Sequence, residues 1–155
     1  MIKILFVCHG NICRSPMAEF VFKDIAEKCG VADKLYIASA ATSTEEIGNG
    51  VHRGTRDKLR EHGISTDGKY AVQIVKSDYS KYDFLIGMDR WNIQNMNRML
   101  GGDSEGKIYK LLDFTDRKGD IADPWYTGDF DATYADVLEG CIGLMDYLDT
   151  NGYIE

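Results

Sequence analysis

Residues 2–16 of the chain read IKILFVCHGNICRSP, and this stretch decides the fold. The run at 2–7 is apolar except for one lysine, which is typical of a strand buried on both faces, as in a parallel sheet. Pro16 stands where a helix begins, and apolar residues at helical spacing continue to a stop at Gly30. The stretch therefore predicts a buried strand, a short loop and a helix in succession.

The rest of the chain continues this alternation. Further strands are predicted at 34–39, 82–88 and 107–114, and further helices within 52–63, over 89–100 and over 131–152. Strands that alternate with helices indicate an α/β protein with a parallel sheet and right-handed crossovers, here as one domain of residues 1–155. Ligands of such sheets bind outside the carboxyl ends of the strands, and the loop after residue 7 lies at that edge.

Composition excludes several classes of protein. The 155 residues carry a net charge of −7, with 44% hydrophobic and 28% charged residues, as in an ordinary globular protein. No run of Lys and Arg supplies the basic face of a nucleic-acid binder. No apolar run approaches the ~20 residues of a membrane span, and the first residues do not resemble a signal peptide. We therefore expect a cytoplasmic protein with no nucleic-acid or membrane partner.

Cysteine and histidine usage points away from metal and disulfide frameworks. The four cysteines form no CxxC pair, and the three histidines are scattered along the chain. In a cytoplasmic protein such cysteines are expected to be free thiols. The sequence thus predicts neither a metal site nor a cofactor.

The residues of the loop after the first strand predict a phosphate-binding site. This loop consists of Cys8, His9, Gly10, Asn11, Ile12, Cys13, Arg14 and Ser15. It joins a strand end to a helix start, where unpaired backbone N–H groups and the helix dipole favour an anion. Gly10 and Asn11 can both take positive φ, which lets successive N–H groups curl inward. Arg14 adds a planar guanidinium that can grip two phosphate oxygens at once.

Cys8 faces this positive concavity, so its thiolate form is favoured there. A thiolate at the centre of such a cradle can attack phosphorus and form a thiophosphate intermediate. Ser15 is expected to act both as the helix cap and as a hydroxyl donor to the sulfur. The alternative is that Cys8 is a small buried apolar residue and Arg14 a solvated one.

Three segments resemble the low-molecular-weight protein-tyrosine phosphatases: VCHGNICRSPMAE from residue 7, GMDRWN from 87 and DIADPWY from 120, with Cys141 in the final helix as a further likeness. The resemblance implies a three-layer, flavodoxin-like fold with strand order 2-1-3-4 and helices on both faces of the sheet. It implies a metal-independent hydrolysis of phosphotyrosine-type phosphomonoesters in proteins or peptides. By position, Cys8 would be the nucleophile, Arg14 the phosphoryl ligand, Asp123 the general acid and Asn11 a brace of the loop. Cys13 would protect Cys8 through a reversible disulfide.

Chemistry supports an acid near Asp123, since expulsion of an alkoxide or phenoxide needs a proton donor. The following proline restricts Asp123 to extended or turn geometry, in a loop at the edge that carries Cys8. The same loop region offers three competing carboxylates, Asp116, Asp120 and Asp129, and the residues alone favour Asp123 only slightly. Trp125 and Tyr126 follow Pro124, and we expect them to form one wall of a slot that binds a phenyl ring. For Trp125 the alternative is packing in the hydrophobic core.

One segment departs from the family pattern. Glu45 and Glu46 stand where the family usually carries an aromatic residue on the other side of the slot. A carboxylate does not stack on a phenyl ring and would repel acidic phosphopeptides, so the strictness of a phosphotyrosine preference is open. Ile12, by contrast, supports a phosphotyrosine preference. An apolar residue at this position resembles the tyrosine-phosphatase branch of the family, whereas the arginine-phosphatase branch has threonine there.

Two other functions compete with the phosphatase interpretation. A thiol-dependent arsenate reductase on the same fold would need two further cysteines near the third strand, and residues 75–100 contain none. A phosphocarrier would not need Asp123, and a silent phosphopeptide-binding module would usually have lost Cys8. The sequence does not assign the oligomeric state or the physiological substrate.

Overall fold

The computed structural model describes residues 1–154. Its sheet contains β1 (Ile2–Cys8), β2 (Leu35–Ala41), β3 (Phe84–Gly87) and β4 (Ile108–Lys110). All neighbouring strands are parallel and lie in the order β2-β1-β3-β4. The predicted α/β fold class and the 2-1-3-4 strand order are thereby confirmed.

Six α-helices connect and flank these strands in the described residues: α1 (Arg14–Lys28), α2 (Arg53–Arg60), α3 (Asp78–Lys81), α4 (Arg90–Leu100), α5 (Pro124–Thr127) and α6 (Phe130–Thr150). Short 3₁₀ turns lie at Ala32–Lys34 and Leu111–Phe114. No helix among residues 1–154 is long and apolar enough to cross a bilayer.

Alternate residues of β1 face two different helix layers. Ile4 and Phe6 belong to a buried cluster with side chains of α1 and α6, whereas Leu5 and Val7 pack in a second cluster with side chains of α4. This arrangement explains why the run at 2–7 is continuously apolar, since both faces of the strand are covered. Cys8 continues the alternation on the α1/α6 face, and its sulfur therefore points toward the start of α1.

Several predicted boundaries near the site are wrong by a few residues. Strand β1 includes Cys8, and α1 begins at Arg14 rather than at Pro16. Ser15 therefore lies inside the first turn of the helix and is not its cap, a position that Cys13 occupies without a side-chain hydrogen bond. The first turn of α1 starts early because the chain must wrap its N–H groups around the end of β1.

The fourth strand is shorter than predicted. Only 108–110 pair with β3, and residues 111–114 form a 3₁₀ turn in which Leu111 and Leu112 are both buried. The polar loop that follows is also more ordered than its composition suggests, because the single-turn helix α5 forms immediately after Asp123. Both differences bring the chain back over the carboxyl edge of the sheet.

Candidate active site

The sulfur of Cys8 lies at the centre of the loop of residues 8–15, called here the phosphate loop. The backbone N–H groups of Asn11 and Ser15 point at Sγ at 3.3 and 3.4 Å, and Ser15 Oγ lies 3.0 Å from it. The Cys8 residue is only 3% exposed. These N–H groups can stabilise negative charge on the sulfur during a reaction, so this geometry suits a nucleophile.

Asn11 holds the backbone of the phosphate loop in its curled shape. It has a φ of 58°, and among the described residues it is the one non-glycine residue in the left-handed region. Its Nδ2 donates to Ser15 Oγ at 2.8 Å and to Ser39 Oγ at 3.0 Å, and its Oδ1 accepts from Val72 N at 3.2 Å. Gly10, which could also take positive φ, does not do so, because the turn needs a single left-handed residue and Asn11 supplies it.

Arg14 is held at its place by groups from distant parts of the chain. Nη1 donates to Asp89 Oδ2 at 2.6 Å and to the carbonyl oxygen of Ile121 at 2.9 Å. Nη2 lies 3.4 Å from Asp123 Oδ2. Burial opposes the charge of Arg14, but the neighbouring negative groups, Cys8 first, outweigh it and raise the pKa of the guanidinium. The guanidinium is thus a fixed cation beside the sulfur.

The contact between Asp89 and Arg14 was missed by sequence reasoning. The sequence placed Asp89 only at the start of the helix predicted over 89–100. Asp89 caps α4, since its Oδ1 accepts from Asn92 N at 2.9 Å. Its other oxygen binds Arg14, so one carboxylate both begins α4 and orients the guanidinium. The segment GMDRWN, which contains Asp89, was the available signal.

A buried polar network supports the phosphate loop from behind, and no sequence feature had indicated it. Ser39 Oγ donates to Glu19 Oε1 at 2.6 Å, which continues the chain of hydrogen bonds from Asn11. Lys69 Nζ donates to the Ser39 carbonyl oxygen at 2.9 Å and lies 3.7 Å from Glu19 Oε1. Burial lowers the pKa of Lys69, although the charge of Glu19 opposes the effect. The loop is therefore backed by side chains from β2 and α1.

Asp123 is the one of the four candidate carboxylates that the structure brings to the pocket above Cys8. Its Oδ1 accepts from Trp125 N at 3.0 Å and so caps α5, while Oδ2 faces Arg14. Asp120 is engaged elsewhere, by Arg90 N and Lys110 Nζ, both at 3.1 Å. Asp129 caps α6, and Asp116 does not line this pocket.

The same pocket has two walls of different chemistry. Trp125 and Tyr126 form one wall and are 59% and 82% exposed, which does not favour the core-packing interpretation of Trp125. Glu45 and Glu46 also line the pocket and form its acidic wall. Glu45 Oε2 lies 2.7 Å from His9 Nε2, an exposed pair that ties this wall to the phosphate loop.

Comparisons with known proteins agree on one family. The model of the family described as low molecular weight phosphotyrosine protein phosphatase matches residues 3–153. The low molecular weight protein-tyrosine-phosphatase YfkJ of Bacillus subtilis (strain 168) is 42% identical over 147 residues, which is 94% of each chain. The phosphatase PtpA of Staphylococcus aureus (strain MRSA252) is 34% identical over 149 residues, 96% of this chain and 94% of the relative.

The fold comparison leads to the same proteins. The crystal structure of YfkJ from Bacillus subtilis superimposes with a TM-score of 0.94 and 40% identity over 97% of this chain and 96% of that one. The predicted family, its hydrolysis of phosphotyrosine-type phosphomonoesters and the enzyme class are thereby confirmed. With the match extending over nearly the whole described structure, the chain belongs to the low molecular weight phosphotyrosine protein phosphatase family, a family of phosphoric monoester hydrolases.

Proposed function

We propose that this chain hydrolyses phosphotyrosine through Cys8 as nucleophile, Arg14 as phosphoryl ligand and Asp123 as general acid. One observation carries the proposal. The Cys8 sulfur, the Arg14 guanidinium and the Asp123 carboxyl line the same pocket, although they come from β1, α1 and the loop before α5. This set provides the nucleophile, the electrostatic stabiliser and the proton donor that phosphoester cleavage needs.

In the first step, the Cys8 thiolate attacks phosphorus and an S–P bond forms as the P–O bond to the tyrosine oxygen breaks. Asp123 gives its proton to that leaving oxygen. The loop N–H groups and Arg14 bind the other three phosphoryl oxygens, whose charge grows toward the transition state.

In the second step, water attacks the cysteinyl phosphate and gives a proton to Asp123, now a carboxylate. The S–P bond breaks and phosphate is released. The departing thiolate is stabilised by the N–H groups of Asn11 and Ser15 and by Ser15 Oγ, which already point at the sulfur. Ser15 thus remains the proposed hydroxyl donor to the sulfur, although it does not cap the helix.

The aromatic wall formed by Trp125 and Tyr126 suits a phenyl ring of the substrate. The acidic wall formed by Glu45 and Glu46 disfavours acidic residues close to the phosphotyrosine. Glu45 Oε2 lies within hydrogen-bond distance of His9 Nε2, which places this carboxylate at the mouth of the pocket. A cytoplasmic location likewise remains a prediction.

Neither competing function is favoured. Arsenate reduction lacks its second pair of cysteines, since residues 75–100 contain none. A phosphocarrier or silent binding module leaves unexplained why Asp123 faces Arg14 in a pocket that also holds Cys8. Rapid turnover of p-nitrophenyl phosphate separates hydrolysis from both.

The assignment of Asp123 is tested with esters of different leaving groups. General acid catalysis contributes about 10²–10⁴-fold, and it matters most when the leaving oxygen is basic. Asp123→Ala should therefore slow phenyl phosphate strongly and p-nitrophenyl phosphate much less, as measured by steady-state kcat. Asp120→Ala is the matched control and should leave this ratio unchanged. An equal loss for both esters in Asp123→Ala would mean that another group is the acid.

The metal-independent scheme stays a prediction, and chelation tests it. Overnight dialysis against EDTA should leave kcat for p-nitrophenyl phosphate unchanged, because Arg14 and the loop N–H groups supply the positive charge that the phosphate needs. Loss of activity that magnesium or zinc restores would refute the scheme.

We also propose that Cys8 is protected from oxidation by a disulfide with Cys13. Burial raises the pKa of the Cys13 thiol to about 12, and the negative charges of Cys8 and Asp123 add to the rise. Cys13 is therefore protonated near neutral pH and is not itself the thiol that peroxide attacks first. Oxidation of Cys8 to a neutral sulfenic acid removes one of those charges, which makes Cys13 easier to ionise and to attack Cys8 with loss of water.

Peroxide inactivation followed by reductant tests this protection. Thiol reductant should restore the wild-type enzyme, whereas Cys13→Ser should lose most activity irreversibly through further oxidation of Cys8. Cys29→Ser, at an exposed cysteine outside the pocket, is the control and should recover like wild type. Equal recovery of wild type and Cys13→Ser would exclude the disulfide.

A further inference from the structure

His52 joins three parts of the structure around the pocket, although His52 itself does not line it. Its backbone N donates to the carbonyl oxygen of Ile12 in the phosphate loop at 2.8 Å. Its Nδ1 accepts from Gly54 N at 2.9 Å and caps α2. Its ring meets Trp125 edge-on, with centroids 5.7 Å apart and planes at 81°, and stacks on Phe130 at 5.2 Å and 19°.

The packing around this ring leaves little room for movement. A Cβ atom on Gly54 would collide with the Phe130 ring, so the start of α2 lies directly against the start of α6. Phe130 in turn packs on a small buried cluster that includes Ile12 and Cys13. Thr55 Oγ1 donates to the Cys13 carbonyl oxygen at 3.1 Å. The beginning of α2 is thus fixed to the phosphate loop on one side and to Phe130 on the other.

Helix α5 has few such supports of its own. It contains four residues, of which only Pro124 is buried, and a helix this short is not stable by itself. Asp123 is its cap, so the direction of the carboxyl depends on where the backbone of Trp125 lies. The Trp125 side chain is more than half exposed, and the His52 ring is an aromatic neighbour against which it rests.

We propose that His52 is a positioning residue for the general acid. It acts through Trp125. Contact with the imidazole holds the indole in place, and the indole holds the first turn of α5. That turn then directs the Asp123 carboxyl toward Arg14 and the leaving oxygen. The proposal rests on the proposed role of Asp123. It extends that role to a residue 71 positions away in sequence, which does not line the pocket.

Two substitutions separate the ring of His52 from its capping atom. His52→Asn keeps a side-chain acceptor for Gly54 N, since asparagine is a good cap, but removes the ring. It should lower kcat for phenyl phosphate roughly tenfold, a part of the ~10²–10⁴-fold contribution of the acid, and kcat for p-nitrophenyl phosphate much less. His52→Phe keeps an aromatic ring and loses the cap, so it should keep the wild-type ratio of the two rates while the melting temperature falls by about 2–4 °C.

His62 provides a matched control. It also stacks on an aromatic ring of α6, with centroids 4.2 Å from Tyr134, but it does not line the pocket or contact α5. His62→Asn should leave the ratio of the two rates at the wild-type value.

A double variant decides between positioning and a merely structural role. In the Asp123→Ala background, His52→Asn should cause no further loss with phenyl phosphate, because groups that act as one unit are not additive. A further loss there, or an equal loss for both esters in His52→Asn alone, would overturn the proposal while leaving Asp123 as the acid. If Asp123→Ala itself shows no selective loss, the assignment of the acid is wrong and the role of His52 falls with it.

Discussion

The phosphate loop and the two walls of the pocket are held by different kinds of contact. In the loop, the side chains of Asn11, Arg14 and Ser15 are almost fully buried, and each has hydrogen-bond partners from another element or from across the loop. In the walls, Tyr126 is 82% exposed, and Glu45 has one exposed partner in His9. Several buried hydrogen bonds therefore fix each of these loop side chains, whereas the wall side chains have few contacts.

This difference separates chemistry from selection of substrate. A group that stabilises charge in the transition state must already be in position before the reaction. Several buried hydrogen-bond partners hold it there, and the loss of any one of them disturbs it. A wall that accepts the flank of a peptide needs only shape and charge at the surface, where single substitutions cost little. Substitutions should therefore have large effects in the loop and small ones at Glu45, Glu46 and Tyr126, whereas Trp125 also supports the proposed acid.

The largest effect is expected for Cys8→Ser. A serine hydroxyl stays protonated in the cradle, so the nucleophile is lost while the fold is kept. We expect kcat to fall by at least about 10⁴-fold, the range for removal of a catalytic nucleophile. Circular dichroism should be unchanged. A serine variant with more than a trace of activity toward p-nitrophenyl phosphate would show that Cys8 is not the nucleophile.

Arg14→Lys should have the next largest effect, about 10²–10³-fold in kcat. An ammonium group cannot make the planar contact with two phosphoryl oxygens, and it cannot bridge Asp89 and the Ile121 carbonyl as the guanidinium does. The measurement is kcat with p-nitrophenyl phosphate. Arg98→Lys on the exposed face of α4 is the control, and a near-normal rate for Arg14→Lys would remove Arg14 from the mechanism.

Asn11→Ala probes the brace rather than the reacting groups. Alanine in the left-handed region costs about 1–2 kcal/mol, and three hydrogen bonds of the loop are lost as well. We expect a roughly 10–100-fold fall in kcat/KM, together with a lower melting temperature. Asn151→Ala, at the exposed end of α6, is the control for activity and should leave kcat/KM unchanged. Full activity in Asn11→Ala would contradict the expectation that substitutions in the phosphate loop have large effects.

The smallest effect is expected in the acidic wall. Glu45→Trp replaces a carboxylate by a ring that can stack on phosphotyrosine, and it frees His9 from its partner. Exposed charge pairs contribute about 0.2–1 kcal/mol, so kcat/KM for acidic phosphotyrosine peptides should rise only about two- to fivefold. Phenyl phosphate should be nearly unaffected, as should the control Glu105→Trp. No change with any peptide would mean that this wall does not contact the substrate.

Local pattern was sufficient for the sheet and for the phosphate loop. A continuous apolar run, a Cys-Gly-Asn-Arg succession and a helix start lie within 15 residues, and each of these signals depends on neighbours in sequence. The resemblance in three segments then indicated the strand order and the family. Errors remained where local rules allow alternatives, as with the predicted capping by Ser15, which lies inside the first turn of α1.

Tertiary structure decided which distant side chains meet at the strand ends. Asp89 lies 75 residues from Arg14, and Ser39 lies 28 from Asn11, so no local pattern could have paired them. The choice of Asp123 among four carboxylates likewise depends on where α5 folds back over the sheet. The physical reason is that hydrophobic periodicity specifies which face of an element is buried, whereas the partners of a buried polar group depend on how all elements pack together.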